Sequence, residues 1–188
     1  MRFVRNVLAA LIFGTVLGGL ATWLTVFRIA PDRVSDGPWK TSLTAGSAQS
    51  DPYKRAFVAV HGLFALNRSE TVYYTATADS DGHVLDGDCR YEIAGRDPDA
   101  RWWSITAYGP DDYLIPNPAH RYSVSKTAIA RGGGGDYAVQ VGGDAGGDNW
   151  IPVGVGRFSL TLRLYNPGRS ILLDPAHAVL PALKKVSC

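Results

Sequence analysis

The chain is poor in the residues that carry most protein chemistry. Histidine occurs four times in 188 residues and cysteine twice. His61, His83, His120 and His177 are scattered, and none has a second His, Cys or carboxylate at metal-ligand spacing on a recognisable element. No metal centre is expected. His83 stands near Asp81, Asp86 and Asp88, which reads as a polar hairpin turn. No G-x-S-x-G elbow is present, and no Ser or Cys stands in a nucleophile context. The glycine stretches at 132–135 and 142–147 lack the lysine and the strand-to-helix setting of a phosphate loop. They read as hairpin connections, and no cofactor is expected. Asp97 with Asp99, and Asp111 with Asp112, are neighbouring acids in turns, where carboxylates are normally solvated. No catalytic constellation is recognisable.

An excess of one charge is missing too. Of the 19 basic residues, Arg2, Arg5 and Arg28 flank an N-terminal apolar run, and the 16 that remain face 17 acidic ones. The composition offers no basic field to hold nucleic acid or an anionic membrane.

That run is itself defined by an absence: residues 6–27 carry no charge over 22 positions. At about 1.5 Å per residue they span the roughly 30 Å hydrocarbon core of a bilayer. The expected organisation is a cytoplasmic N-terminus (1–5), a transmembrane anchor (6–28), a linker (29–50) and a domain (51–188). The competing reading is a cleaved signal peptide, with Gly19-Leu20-Ala21 as a weak cleavage site. The apolar run continues past that point, which favours a retained anchor. An N-terminus-inside anchor gives a single-pass inner-membrane protein with its domain in the periplasm. Gly14 and Gly18 form a GxxxG, either a homodimer contact or simply small residues in a membrane helix. An exported domain with two cysteines is expected to join Cys89 to Cys188; in the cytosol they would stay free thiols.

The linker is rich in Pro, Ser, Thr, Gly and Ala and has no apolar period. Asp51-Pro52 then signals a helix start, with Tyr53, Phe57, Val60 and Phe64 as its apolar stripe, ending near Leu66-Asn67. His61 beside the stripe reads as structural. From residue 72 the period becomes two. Strands are expected over 72–78, 89–95, 102–108, 121–129, 136–142 and 157–165, the first two joined as a hairpin through Asp81-Gly82. Phe158, Leu160, Leu162 and Leu164 alternate with Ser159, Thr161, Arg163 and Tyr165. Half-buried antiparallel strands of a β-sandwich look like this. Asp174-Pro175 caps one more short turn.

The stretches RWWSITAY (101–108), NPAHRYS (117–123), NWIP (149–152) and FSLTLRLY (158–165) together resemble the bacterial family known as domain of unknown function 1214. The likeness runs in order through residues 38–188, and is greatest to small, singly anchored alphaproteobacterial members. It implies a mainly β, jelly-roll-like sandwich with one flanking N-terminal helix, in an exported or membrane-anchored setting, and supplies no chemistry. Longer relatives carry a second domain ahead of this one, which here would come from a separate chain. Similar short members also end in cysteine, which supports the Cys89–Cys188 pairing.

Trp102 and Trp103 are adjacent in a strand and must point to opposite faces. Alternation places Trp103 with Ile105 and Ala107 in the core. Trp102 then shares a face with Tyr108, and with Arg163 and Tyr165 if the two strands are neighbours. Asn117, Arg121, Tyr122 and Trp150 would close that face from loops. The eight residues suit a polar ligand with flat surfaces, aromatics stacking and an arginine gripping an oxyanion. The plainer reading is that the arginines anchor loops and the asparagines close turns. The function expected is a non-catalytic module binding a glycan, lipid headgroup or protein; an enzyme subunit and a structural scaffold are the alternatives.

Overall fold

The computed structural model describes residues 2–29, 33–47, 50–60, 65–143 and 146–188. The charge-free run forms the helix α1 (Arg2–Leu24), continued by a π-helical turn over Thr25–Ile29. Nothing in α1 is buried. Among the described residues this is one helix long and apolar enough to cross a membrane.

Two strands follow, β1 (Arg33–Asp36) and β2 (Trp39–Ser42), then the helix α2 (Pro52–Val60). Asp51 caps α2 as its position predicts, its Oδ1 accepting from the Tyr53 and Lys54 N–H groups at 3.0 and 3.1 Å. The expected continuation through His61 and Phe64 lies outside the described residues. The remaining elements are β3 (Thr71–Ala76), β4 (Arg90–Gly95), β5 (Ala100–Tyr108), β6 (Ser123–Ser125), β7 (Tyr137–Val141), β8 (Trp150–Ile151) and β9 (Ser159–Pro167). The helix α3 (Arg169–Leu173), a 3-10 turn at Pro175–His177 and β10 (Ala182–Ser187) complete the chain.

The fold is mainly β, in two sheets. One has six strands in the order β1-β2-β3-β9-β5-β6, the other four in the order β10-β4-β7-β8. All pairs are antiparallel except β7 with β8. The inner faces meet in one core, where Trp103 lies against Tyr137 with ring centroids 4.9 Å apart and Tyr91 against Phe158 at 5.7 Å. Trp103 is fully buried, as the alternation requires, and its indole N–H donates to Asp97 Oδ1 at 3.0 Å. Burial tends to raise the Asp97 carboxyl, but hydrogen bonds from Arg131 and Trp103 and the charges of Arg131 and Lys126 hold it below the usual carboxylate range. Leu160, Leu162 and Leu164 fill the centre of the core.

Three expectations are corrected. Residues 33–42 are not a tether: β1 and β2 join the six-stranded sheet, and Trp39 is 1% exposed. Its indole N–H reaches the Pro181 carbonyl at 2.7 Å, so one large side chain commits a weakly patterned segment to the core. The turn at Asp81-Gly82 forms, with Gly82 at φ +87 and a bridge between Ala78 and Val84. Yet β3 and β4 are not hairpin partners. Beyond the turn Asp86 pairs with Arg157, and the chain crosses to the other sheet, where β4 lies between β10 and β7. The strand expected over 121–129 shrinks to three residues, because the Ala128 and Ile129 N–H groups fold back onto the Ser125 carbonyl.

Cys89 and Cys188 are joined in a disulfide. It continues the β4–β10 pairing beyond its last register pair, Arg90 with Ser187.

Candidate functional site

The outer face of the six-stranded sheet is made of hydroxyl groups, aromatics and one arginine. Register explains why. Arg163 of β9 sits opposite Tyr73 of β3 and Ser104 of β5; Thr161 sits opposite Thr75 and Thr106; Tyr165 sits opposite Thr71 and Trp102. Directly paired residues share a face, so the side chains that alternate away from the leucine core converge here. Lys40 of β2, opposite Thr75, extends the same face.

Arg163 is held in place. Its Nη2 donates to the Tyr108 hydroxyl at 2.6 Å and its Nη1 to Thr106 Oγ1 at 3.2 Å. The guanidinium carbon lies 5.3 Å from the Tyr108 ring centroid and 6.0 Å from that of Tyr73, within cation–π range of both. Both acceptors are neutral. The full positive charge therefore persists, and three of the five guanidinium N–H groups have no acceptor among the described residues.

Between this face and α2 lies a cavity of about 650 Å3. Lys54, Phe57 and Val58 line it from α2, and Tyr73, Tyr108 and Thr161 from the sheet. Its described lining contains six cationic side chains, Arg33, Lys40, Lys54, Arg68, Arg157 and Arg163, against one carboxylate, Asp112. Lys54 pairs with Asp51 at 3.7 Å, and Arg68 spends Nη2 on the Ile171 and Leu172 carbonyls. Lys40, Arg157 and Arg163 face no carboxylate at ion-pair distance among the described residues. The balanced composition thus hides a segregation of charge: the domain is near neutral, and its cavity is strongly cationic. A concave, partly desolvated wall of one sign focuses the field on whatever enters.

The eight residues expected to form one site divide. Tyr108 and Arg163 line the cavity. Trp102 and Tyr165 share the sheet face but lie beyond the cavity wall and pack edge-on against each other, ring centroids 5.1 Å apart. Asn117 closes its own turn, its amide donating to the Ile115 and Arg121 carbonyls and its oxygen accepting the Arg121 N–H. Arg121 grips the Gly147 and Asp148 carbonyls, the loop-anchoring role of the plainer reading. Tyr122 gives its carbonyl to the Ala107 N–H at the sheet edge. Trp150 belongs to the four-stranded sheet, with its indole N–H on the Gly142 carbonyl. These last four do not close the Arg163 face.

Lys40, Arg68, Tyr73 and Arg157 escaped the sequence reading. The polar alternation of Tyr73 and Thr75 was a usable signal. Lys40 was hidden by the misassigned tether, and Arg157 by its place just before β9. Elsewhere Asp79, which the sequence reading did not single out, comes close to Asp81 and His83; its Oδ1 accepts the Asp81 and His83 backbone N–H groups, and its buried Oδ2 lies 3.5 Å from His83 Nδ1.

Two facing sheets and a hydroxyl-lined outer surface under a short helix define a two-layer β domain with a cationic cavity. The chain belongs to the family described as protein of unknown function (DUF1214), matched over residues 70–169. No curated protein matches it. It is similar to the crystal structure of the VPA0106 protein from Vibrio parahaemolyticus, at 24% identity and a TM-score of 0.61, over 71% of this chain and 35% of that one. This chain therefore spans about a third of the Vibrio protein. It is also similar to an uncharacterised protein from Burkholderia cenocepacia, at 14% identity and a TM-score of 0.47, over 89% of this chain and 40% of that one.

Proposed function

We propose that this protein is an inner-membrane-anchored, periplasmic binding module, a jelly-roll-like sandwich that captures an anionic polar ligand in the cavity between α2 and the six-stranded sheet. One observation carries the reading: six cationic side chains against one carboxylate around about 650 Å3, with Arg163 already fixed and its charge uncompensated. An arginine in this setting grips a carboxylate or phosphate through two parallel N–H bonds. Trp102 and Tyr165 pack against each other, which disfavours a sugar stacked on either ring. The apolar helix at Arg2–Arg28 and the Cys89–Cys188 bridge support an anchored domain in an oxidising compartment.

Ligand capture is tested by mass spectrometry of small molecules that co-purify with the full-length protein in detergent. An anion should be recovered from the native protein and lost from Arg163→Ala and Lys40→Ala. Recovery of neutral compounds alone would reject the reading. Location is tested by fusing alkaline phosphatase after residue 42, where enzyme activity is expected and its absence would place the domain inside.

A further inference from the structure

The geometry points to the phosphate of a membrane lipid headgroup as the ligand, an inference that rests on the anion-binding reading above. The cavity's position carries it. Its outer wall is α2, and α2 packs against the end of the apolar helix, Phe57 meeting Phe27 edge-on with ring centroids 6.4 Å apart. Arg33, four residues beyond the π-helical turn, places its guanidinium 5.6 Å from the Phe57 centroid. Phe57 and Arg33 both line the cavity. Where α1 leaves a bilayer, the cavity lies one helix width from the headgroup layer.

The surface of α2 adds a second observation. None of its residues is buried, and it exposes Tyr53 at 46% and Val60 at 65%, seven positions apart and so on one side of the helix. Lys54 borders that side, and Arg55 turns away from it to the Ser50 carbonyl. A short helix that exposes an aromatic and an aliphatic group with a lysine at their border suits the plane of the membrane interface. The cavity's own lining matches a lipid headgroup in kind. Lys40 and Arg163 offer cations to a phosphate, hydroxyls from the sheet meet glycerol oxygens, and Phe57 and Val58 accept the start of the acyl region. A free phosphate ester would satisfy the cations alone, and it is the source the test must separate.

The experiment is native mass spectrometry of the full-length chain in a nonionic detergent. It is titrated separately with phosphatidylglycerol, phosphatidylcholine and water-soluble glycerol 3-phosphate. Phosphatidylglycerol is expected to bind about tenfold or more tightly than either of the others. Arg163→Ala and Lys40→Ala should each weaken it about tenfold. Val60→Asp, outside the cavity lining, should weaken the lipid without changing the soluble ester. Circular dichroism melts establish that each variant is folded. Should Arg163→Ala itself fail to fold, the exposed Lys40→Ala carries the test. Equal binding of glycerol 3-phosphate and phosphatidylglycerol, insensitive to Val60→Asp, would overturn the lipid assignment and leave the anion reading standing. Lipid binding unaffected by both cavity variants would place the lipid around α1 and overturn it as well. Failure of all three ligands to bind would remove both readings.

Discussion

Reduction of the Cys89–Cys188 bridge should destabilise the domain by an amount that can be worked from the chain. The two residues are separated by 99 positions. On the chain-entropy account, cross-linking a loop of that size lowers the entropy of the unfolded ensemble by about 16 cal/mol/K, or about 4.7 kcal/mol at 25 °C. Measured effects fall below this ceiling, and about 2–4 kcal/mol is the expected loss. The native contacts should survive, since β10 keeps its register pairs with β4 and Leu183 stays buried. With an urea slope of about 2 kcal/mol/M, the unfolding midpoint moves down by about 1–2 M. The assay is urea unfolding followed by tryptophan fluorescence, comparing oxidised protein with Cys188→Ser, and intact mass with and without alkylation to count free thiols. Equal midpoints with unchanged slopes would refute the reasoning. Two alkylated thiols in the untreated protein would refute the bridge itself.

Other predictions follow from packing and charge. Trp103→Phe removes a fully buried indole and its bond to Asp97, and should cost about 2–4 kcal/mol in urea unfolding. Gly87→Ala should cost about 1–3 kcal/mol, because a methyl there overlaps the Gly154 carbonyl and the backbone has to move. Asp97 is depressed in the folded state, so its contribution is present above the unfolded value near pH 4 and is lost as the pH falls through the lower folded value; the acid limb of a stability–pH curve should flatten in Asp97→Asn. His177 is raised by its hydrogen bond to Asp174 and then by that carboxylate's charge. Its contribution is therefore full below about pH 6.5 and fades as the pH rises through the folded value. NMR should find its midpoint above that of a free histidine, and Asp174→Asn should bring it back.

What the sequence made legible was whatever a single segment decides for itself. The leucine alternation of residues 158–165 has one physical solution, and the adjacent tryptophans at 102 and 103 had to part. Partner choice was not legible. Asp81-Gly82 specifies a reversal, but nothing local says whether the chain returns to its own sheet or crosses to the other, and it crosses. Residues 33–42 contain a single tryptophan among small and charged neighbours, so no period announces a strand; pairing with β3 and burial of Trp39 supply the energy that propensity does not. The candidate site suffered for the same reason. Arg163 and Tyr108 could be placed on one face, because strand period fixed each and the β5–β9 register joined them. Lys40, Arg68 and Arg157 come together only when distant elements are folded around α2. Charge counted along the chain is silent about charge gathered in space.

The two walls of the cavity differ in kind. Strand β9 is bonded along its length to β3 on one side and β5 on the other, so Arg163 cannot shift without disturbing two ladders. The facing wall, α2, buries none of its residues. Backbone amides of β9 should therefore be among the last to exchange with deuterated water, and those of α2 among the first. A ligand bridging the two would slow the helix and leave the strand unchanged. Occupancy of the cavity can thus be read from the label uptake of one nine-residue helix, before the occupant is known.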